Sequence, residues 1–168
     1  VIDLYNTQDI TNFEQAPGFR WTLLLTRDEL AALEWVRTTT APDAVVQVDP
    51  VPRDPETWAY IPAFAERRMA AGLPISMIPL GGYQRATERV ERLFRAESGL
   101  DAAVECRRSG IDYLWLGAPE QRRHPQLKGV LDAAPALFEK VFDTPGVTVY
   151  HFRDARHGAR PAEAPGVH

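Results

Sequence analysis

The sequence predicts an α/β domain of three layers: a mostly parallel sheet with helices on both faces, finished by a C-terminal antiparallel hairpin. Two patterns predict it. Helix-period segments alternate with short, nearly continuous apolar runs at 44–48, 75–78 and 111–116, as expected of strands covered on both faces. Near the end, 138–142 and 147–152 flank Asp143-Thr144-Pro145-Gly146, a turn that closes a hairpin. At 168 residues the chain suits one domain with a core that needs no staples. We expect an extended lead-in over 1–20, the α/β domain over 21–152 and a disordered tail over 153–168.

Taken in order, 21–25 reads as a strand or buried entry. Thr26 and Glu29 have capping-box spacing and open a helix whose stripe is Leu30, Leu33 and Val36, with Trp35 beside it and Pro42 ending the segment. The run 44–48 is a strand interrupted only by Gln47. Pro50, Pro52 and Pro55 force a loop, after which Thr57 caps a helix expected over 58–71, with Pro62 in its first turn and Gly72 as its stop. A strand over 75–78 leads through Gly81-Gly82 into the clearest helix, 84–97. Its apolar stripe is Ala86, Val90, Leu93 and Phe94, and Glu88/Arg92 and Glu91/Arg95 are i,i+4 pairs. A second helix carries Leu100, Ala103 and Val104 to Gly110. The strand 111–116 is closed by Gly117, and a weaker helix over 126–133 precedes the hairpin.

Composition narrows the function classes. Hydrophobic residues make up 45% and charged ones 25%, which is ordinary globular usage. A net charge of -4 gives no footprint for nucleic acid. Arginine dominates the cations, Lys128 and Lys140 being the lysines; a GC-rich genome accounts for that without a phosphate-reading role. Cys106 stands alone, so neither a disulfide framework nor a thiolate metal site is expected. No apolar run approaches the roughly 18–20 residues that span a bilayer. No signal peptide is visible, but the chain begins at Val1 without an initiating Met, as expected of a piece of a longer protein.

In an open α/β sheet, ligands sit beyond the carboxyl ends of the strands. Asp49, Arg53 and Glu56 follow the first strand of the alternating unit, Gly81-Gly82-Tyr83 the second, and Glu120 the third. They outline a polar crevice with Trp58 and Tyr60 as stacking platforms for a sugar; the competing reading makes both aromatics core anchors. Arg67 and Arg68 lie late in the same expected helix, where its dipole alone favours guanidinium groups and a phosphate or lipid headgroup is the functional alternative. Asp49, Arg53, Trp58, Tyr60, Arg67 and Arg68 are thus the expected ligand face. No metal site is expected, because His124, His151, His157 and His168 are scattered over different elements. No cofactor is expected either, since neither GxGxxG nor a Walker pattern is present. No catalytic residue can be nominated. Ser76, Ser98 and Ser109 lack a nucleophile elbow, and Cys106 between Glu105 and Arg107 is by default structural.

Several phrases occur in a set order: TRDELAALEWVRTTTAPDAVVQVDP, WAYIPAFAERRMAAG, RVERLF, SGIDYLWLG and VFDTPGVTVYHF. Together, over roughly residues 20–152, they resemble the C-terminal extracytoplasmic soluble domain of polytopic membrane proteins of the glycosyltransferase-C type. The resemblance implies a domain attached to a membrane-embedded enzyme that uses a lipid-phosphate-linked sugar. The catalytic carboxylate of such enzymes lies near their first membrane spans, so this chain would lack the catalytic centre. One departure is Glu66, where the resembled phrase often carries Gly before the two arginines.

The expected function is therefore a non-catalytic domain on the extracytoplasmic face of the cell membrane, supporting the membrane portion of a glycosyltransferase-like protein or binding a glycan acceptor. Its expected partners are the membrane-embedded portion of the same parent and a glycan or lipid-phosphate headgroup, with no nucleic acid. Two other classes compete: a stand-alone small α/β enzyme acting on a phosphosugar or nucleotide, and a protein-interaction module.

Overall fold

The computed structural model describes residues 25–50, 60–72 and 80–153. The expected lead-in, the strand over 75–78 and the tail past Arg153 lie outside these residues.

Thr26 and Glu29 form the expected capping box. The Glu29 amide donates to Thr26 Oγ1 at 3.2 Å and the Thr26 amide donates to Glu29 Oε2 at 2.7 Å. Helix α1 (Arg27–Thr39) follows, burying Ala32, Leu33 and Val36. Leu30, expected on that stripe, is 50% exposed, because it falls at the edge of the buried arc.

Strand β1 (Val46–Gln47) is shorter than the run 44–48 suggested. Gln47, which interrupts the apolar run, is fully buried and uses both ends of its amide. Its Oε1 accepts from the Ala70 and Ala71 amides at 2.8 and 3.1 Å, while Nε2 donates to Val48 O and Ala71 O at 2.7 and 2.9 Å.

That clamp explains the largest departure from expectation. The helix expected over 58–71 is only α2 (Tyr60–Phe64) within the described residues. Glu66 adopts a left-handed φ of 54°, which stops the helix. The chain then runs along the free edge of β1: the Val46 amide donates to Arg68 O at 2.9 Å and the Arg68 amide to Ala44 O at 3.3 Å. An unpaired strand edge plus a buried amide outcompete local helix propensity here. Gly72 still marks a stop, with φ at 101° and Pro50 Cα 3.1 Å from where a Cβ would lie.

Helix α3 (Leu80–Phe94) starts and ends earlier than expected and buries Val90, Leu93 and Phe94. Of its expected pairs, Glu91–Arg95 stands at 3.5 Å, while Arg92 reaches across to Glu105 on the next helix at 3.4 Å. Helix α4 (Gly99–Ser109) is capped by Ser98, whose Oγ accepts from the Asp101 amide, and stops at left-handed Gly110. It buries Ala102, Ala103, Glu105 and Cys106, whereas Leu100 and Val104 are exposed.

Strand β2 (Tyr113–Gly117) runs straight into a short helix that was not among those expected, α5 (Ala118–Arg123), followed by α6 (Leu127–Asp132). The hairpin of β3 (Phe138–Asp143) and β4 (Val147–Phe152) closes the described chain.

The sheet order is β1-β2-β4-β3. Among the described strands only the β1–β2 pair is parallel; β2–β4 and β3–β4 are antiparallel, so the described sheet is mostly antiparallel rather than mostly parallel. The hairpin is not an appendage. Its second strand inserts beside β2, pairing Trp115 with Val149 and Leu116 with Thr148. Five of the six residues of β4 are buried, as befits a central strand.

Alternation along β2 supplies two cores. Leu114 and Leu116 join Val90, Leu93, Phe94, Ala103, Leu131, Tyr150 and Phe152. Trp115 joins Leu33, Val36, Val46, Val48, Tyr60, Ile61, Val147 and Val149.

Candidate functional site

Because β1 and β2 are parallel, their carboxyl ends open at the same place. Asp49 lies just past β1, and Gly117 closes β2 and begins α5. The side chain that joins the two ends is Glu120 in the first turn of α5. Its Oε2 accepts from the Gly117 amide at 3.0 Å and its Oε1 accepts from the Asp49 amide at 3.2 Å. Asp49 and Glu120 are 2% and 0% exposed. Burying two carboxylates this close requires compensation, and α5 provides some of it. Its last residue, Arg123, brings Nη1 to 3.4 Å from Asp49 Oδ2, and His124 Nε2 stands 3.0 Å from the same oxygen. The imidazole is fixed on its other side by the ring of Phe94, 5.4 Å away. A carboxylate on one ring nitrogen sets the orientation of the imidazole.

Trp115 adds a donor. It is fully buried, its ring lies 5.7 Å from Tyr60, and its indole N–H has no hydrogen-bond partner among the described residues. A Cβ on Gly117 would lie 3.0 Å from Trp115 Nε1 and 3.1 Å from Glu120 Oε2. Glycine therefore leaves the indole N–H and the carboxylate beside bare backbone at the strand ends. Buried N–H groups without partners are rare in folded proteins. The cluster offers planar polar donors and acceptors beside aromatic faces, the equipment that orients a hydroxyl-bearing ligand.

The residues expected to form the ligand face divide. Asp49 is in the cluster and Tyr60 adjoins it through Trp115. Arg53 and Trp58 lie outside the described residues. Arg67 is elsewhere and is 6% exposed, with all of its donors directed at the chain itself. Nε donates to Thr40 Oγ1 at 2.9 Å, Nη1 to Ala65 O and Glu66 O, and Nη2 to Arg37 O at 2.6 Å and Thr40 O at 2.8 Å. It seals the C-terminal end of α1. Arg68 is exposed and donates to Asp43 O at 2.6 Å.

Sequence reasoning placed Glu120 at a strand end but missed His124, Arg123, Trp115 and Gly117. The i,i+4 spacing of Glu120 and His124 was a usable signal; nothing local pointed to Trp115, whose role depends on which face of β2 it occupies.

Two further groups have settled chemistry. Burial pushes the Cys106 thiol well above its ordinary value, and nearby Glu105 and Asp112 push it the same way, so the thiol is inert. Lys128 and Lys140 converge on one tyrosine. Tyr150 O–H donates to Asp132 Oδ1 at 2.7 Å, Lys140 Nζ is 2.9 Å from that carboxylate, and both ammonium groups lie over the Tyr150 ring. Burial and then the bond to Asp132 raise the Tyr150 hydroxyl far above its usual range. Burial works against ionising Asp132, but hydrogen bonds from Tyr150 and Lys140 hold its carboxyl below the usual range. This network ties α6 to the hairpin.

In overall fold the chain is similar to the C-terminal globular domain of an oligosaccharyltransferase from Archaeoglobus fulgidus. The TM-score is 0.53 at 11% identity, covering 78% of this chain and 100% of that one. No family model and no curated protein sequence matches the chain. Among the described residues no helix is long and apolar enough to cross a membrane. The likeness is one of fold, to a globular domain of an oligosaccharyltransferase.

Proposed function

We propose that this chain is a non-catalytic extracytoplasmic domain of a membrane glycosyltransferase-like protein, and that it holds a hydroxyl-bearing ligand, the glycan acceptor, at the carboxyl ends of β1 and β2. The fold likeness supports the first half. The observation that carries the second is the buried Trp115 N–H, without a partner beside Glu120 and Gly117. We read the two cores as a helix–sheet–helix layering, so that helices support the strand ends from both faces. Asp49, His124 and Tyr60 orient the ligand, and Arg123, paired with Asp49 at 3.4 Å, is the cation that meets a lipid-phosphate headgroup. The membrane-embedded portion of the same parent is the partner that supplies the reaction.

The test is glycan transfer by the intact parent carrying Trp115→Phe or His124→Gln. Trp115→Phe removes a buried donor that no described residue accepts from and leaves only a small cavity, costing about 1–2 kcal/mol, so the fold should be kept. Losing one hydrogen bond to the ligand should lower transfer about three- to tenfold. Wild-type transfer by both variants at normal protein levels would remove the ligand assignment.

One observation favours a second reading, a small α/β enzyme acting on a phosphosugar. Asp49 and His124 at 3.0 Å form an oriented carboxylate–imidazole pair, the arrangement of a general base. Turnover of phosphosugars by the isolated chain, abolished by His124→Gln, is the result that would establish it.

A further inference from the structure

A groove of about 430 Å³ lies on the outer side of the α3–α4 pair, formed by residues other than those at the strand ends. We propose that it docks on the headgroup layer of a zwitterionic phospholipid membrane, with Leu100 and Val104 entering the acyl boundary.

Three guanidinium groups line the groove, those of Arg92, Arg95 and Arg108, together with three carboxylates, those of Glu97, Asp101 and Glu105. Glu105 is nearly buried and shared: Arg92 Nε and Arg108 Nη1 both stand 3.4 Å from its Oε1. Arg95 is 3.5 Å from Glu91. These contacts are long for charge-assisted hydrogen bonds, so they position the guanidinium groups without saturating their donors. The side chains of all three arginines are more than half exposed.

The charge pattern selects the occupant. A simple anion would meet Glu97 and Asp101, and a simple cation would meet three arginines. A phosphate with an ammonium group a few bonds away satisfies both. The net charge of -4 also weighs against an anionic surface. A soluble zwitterion, in turn, leaves Leu100 unexplained. Leu100 and Val104 are 70% and 40% exposed, and they stand at i,i+4 on α4, on the face turned away from the core. Two apolar side chains beside polar groups that bind headgroups are the makings of an interfacial contact.

The test is flotation of the 168-residue chain with vesicles at millimolar lipid. Vesicles of phosphatidylcholine and phosphatidylethanolamine should carry the protein. Leu100→Asn with Val104→Asn should weaken binding at least about tenfold, as expected when apolar insertion drives it. Arg92→Gln with Arg108→Gln should weaken it as well, and free phosphoethanolamine should compete only weakly. Each variant is checked for folding by circular dichroism, and the exposed positions make the asparagine pair a surface change.

Three results would overturn the proposal: no flotation with zwitterionic vesicles, flotation only with phosphatidylglycerol that is indifferent to the asparagine pair, or self-association of the chain that the asparagine pair abolishes. The last would assign the patch to a second copy.

Discussion

Arg67 shows how one residue type serves two chemistries, and only the fold decides between them. A guanidinium late in an expected helix reads as a headgroup ligand. In the folded chain it closes the end of α1, answering the carbonyls of Arg37 and Thr40 that the helix end leaves without intrahelical partners. Arg67→Met keeps the stem and deletes every donor, so it should cost about 2–4 kcal/mol of stability. Arg68→Met, at an exposed position, should cost less than about 0.5 kcal/mol. Urea midpoints of the two variants check the contrast; equal shifts would mean that Arg67 is not a cap. The neighbouring Glu66 occupies the left-handed region, φ 54°, at the position where the resembled phrase carries Gly. Glu66→Gly should therefore raise stability by about 0.5–1 kcal/mol, the relief of a strained φ less the entropy that glycine adds to the unfolded chain. Thermal unfolding of that single variant measures it.

At the scale of elements, signals carried by adjacent residues were legible and those needing a partner were not. The Thr26–Glu29 box, the Gly110 stop and the hairpin turn are local chemistry, and each stands where its residues put it. The helix expected over 58–71 is cut short because the edge of β1 and the Gln47 amide compete for the backbone of 68–71, a contact between distant segments. The site divides in the same way. Asp49 and Glu120 could be placed because strand ends are legible, whereas Trp115 required knowledge of the sheet face and His124 knowledge that α5 carries it back to Asp49.

The sheet also carries a pH dependence. His151 on β4 lies between Tyr113 and Glu139, its ring 4.8 Å from that of Tyr113. Burial lowers its pKa from 6.5, although Glu139 and Asp112 pull upward. A folded-state value below the unfolded one means that the neutral form is favoured in the fold. The associated stability is complete above the unfolded value and is lost as the pH falls through the lowered one. His151→Gln should therefore flatten the loss of stability as the pH falls below about 6.5. Chemical denaturation of both proteins across that window tests this, and parallel curves would place the acid sensitivity elsewhere.

For the whole molecule, the α/β class and the C-terminal hairpin were readable, but the direction of most strand pairings was not. Alternating helices and apolar strands are equally compatible with a parallel sheet and with a hairpin folded into its centre. What distinguishes them is the insertion of β4 beside β2, a pairing that no local pattern encodes. The resulting fold is similar to that of the C-terminal globular domain of an oligosaccharyltransferase, and we propose for this chain a position outside the membrane. The chain is well suited to a direct test, because its sole cysteine, Cys106, is fully buried. Thr39→Cys, at the exposed end of α1, would be the reactive thiol among the described residues. Intact source cells carrying this variant in the full-length parent would be treated with a membrane-impermeant maleimide. The account predicts labelling without permeabilisation, above that of the parent lacking the substitution, on a protein that sediments with the membranes. Labelling that appears only after lysis would contradict it.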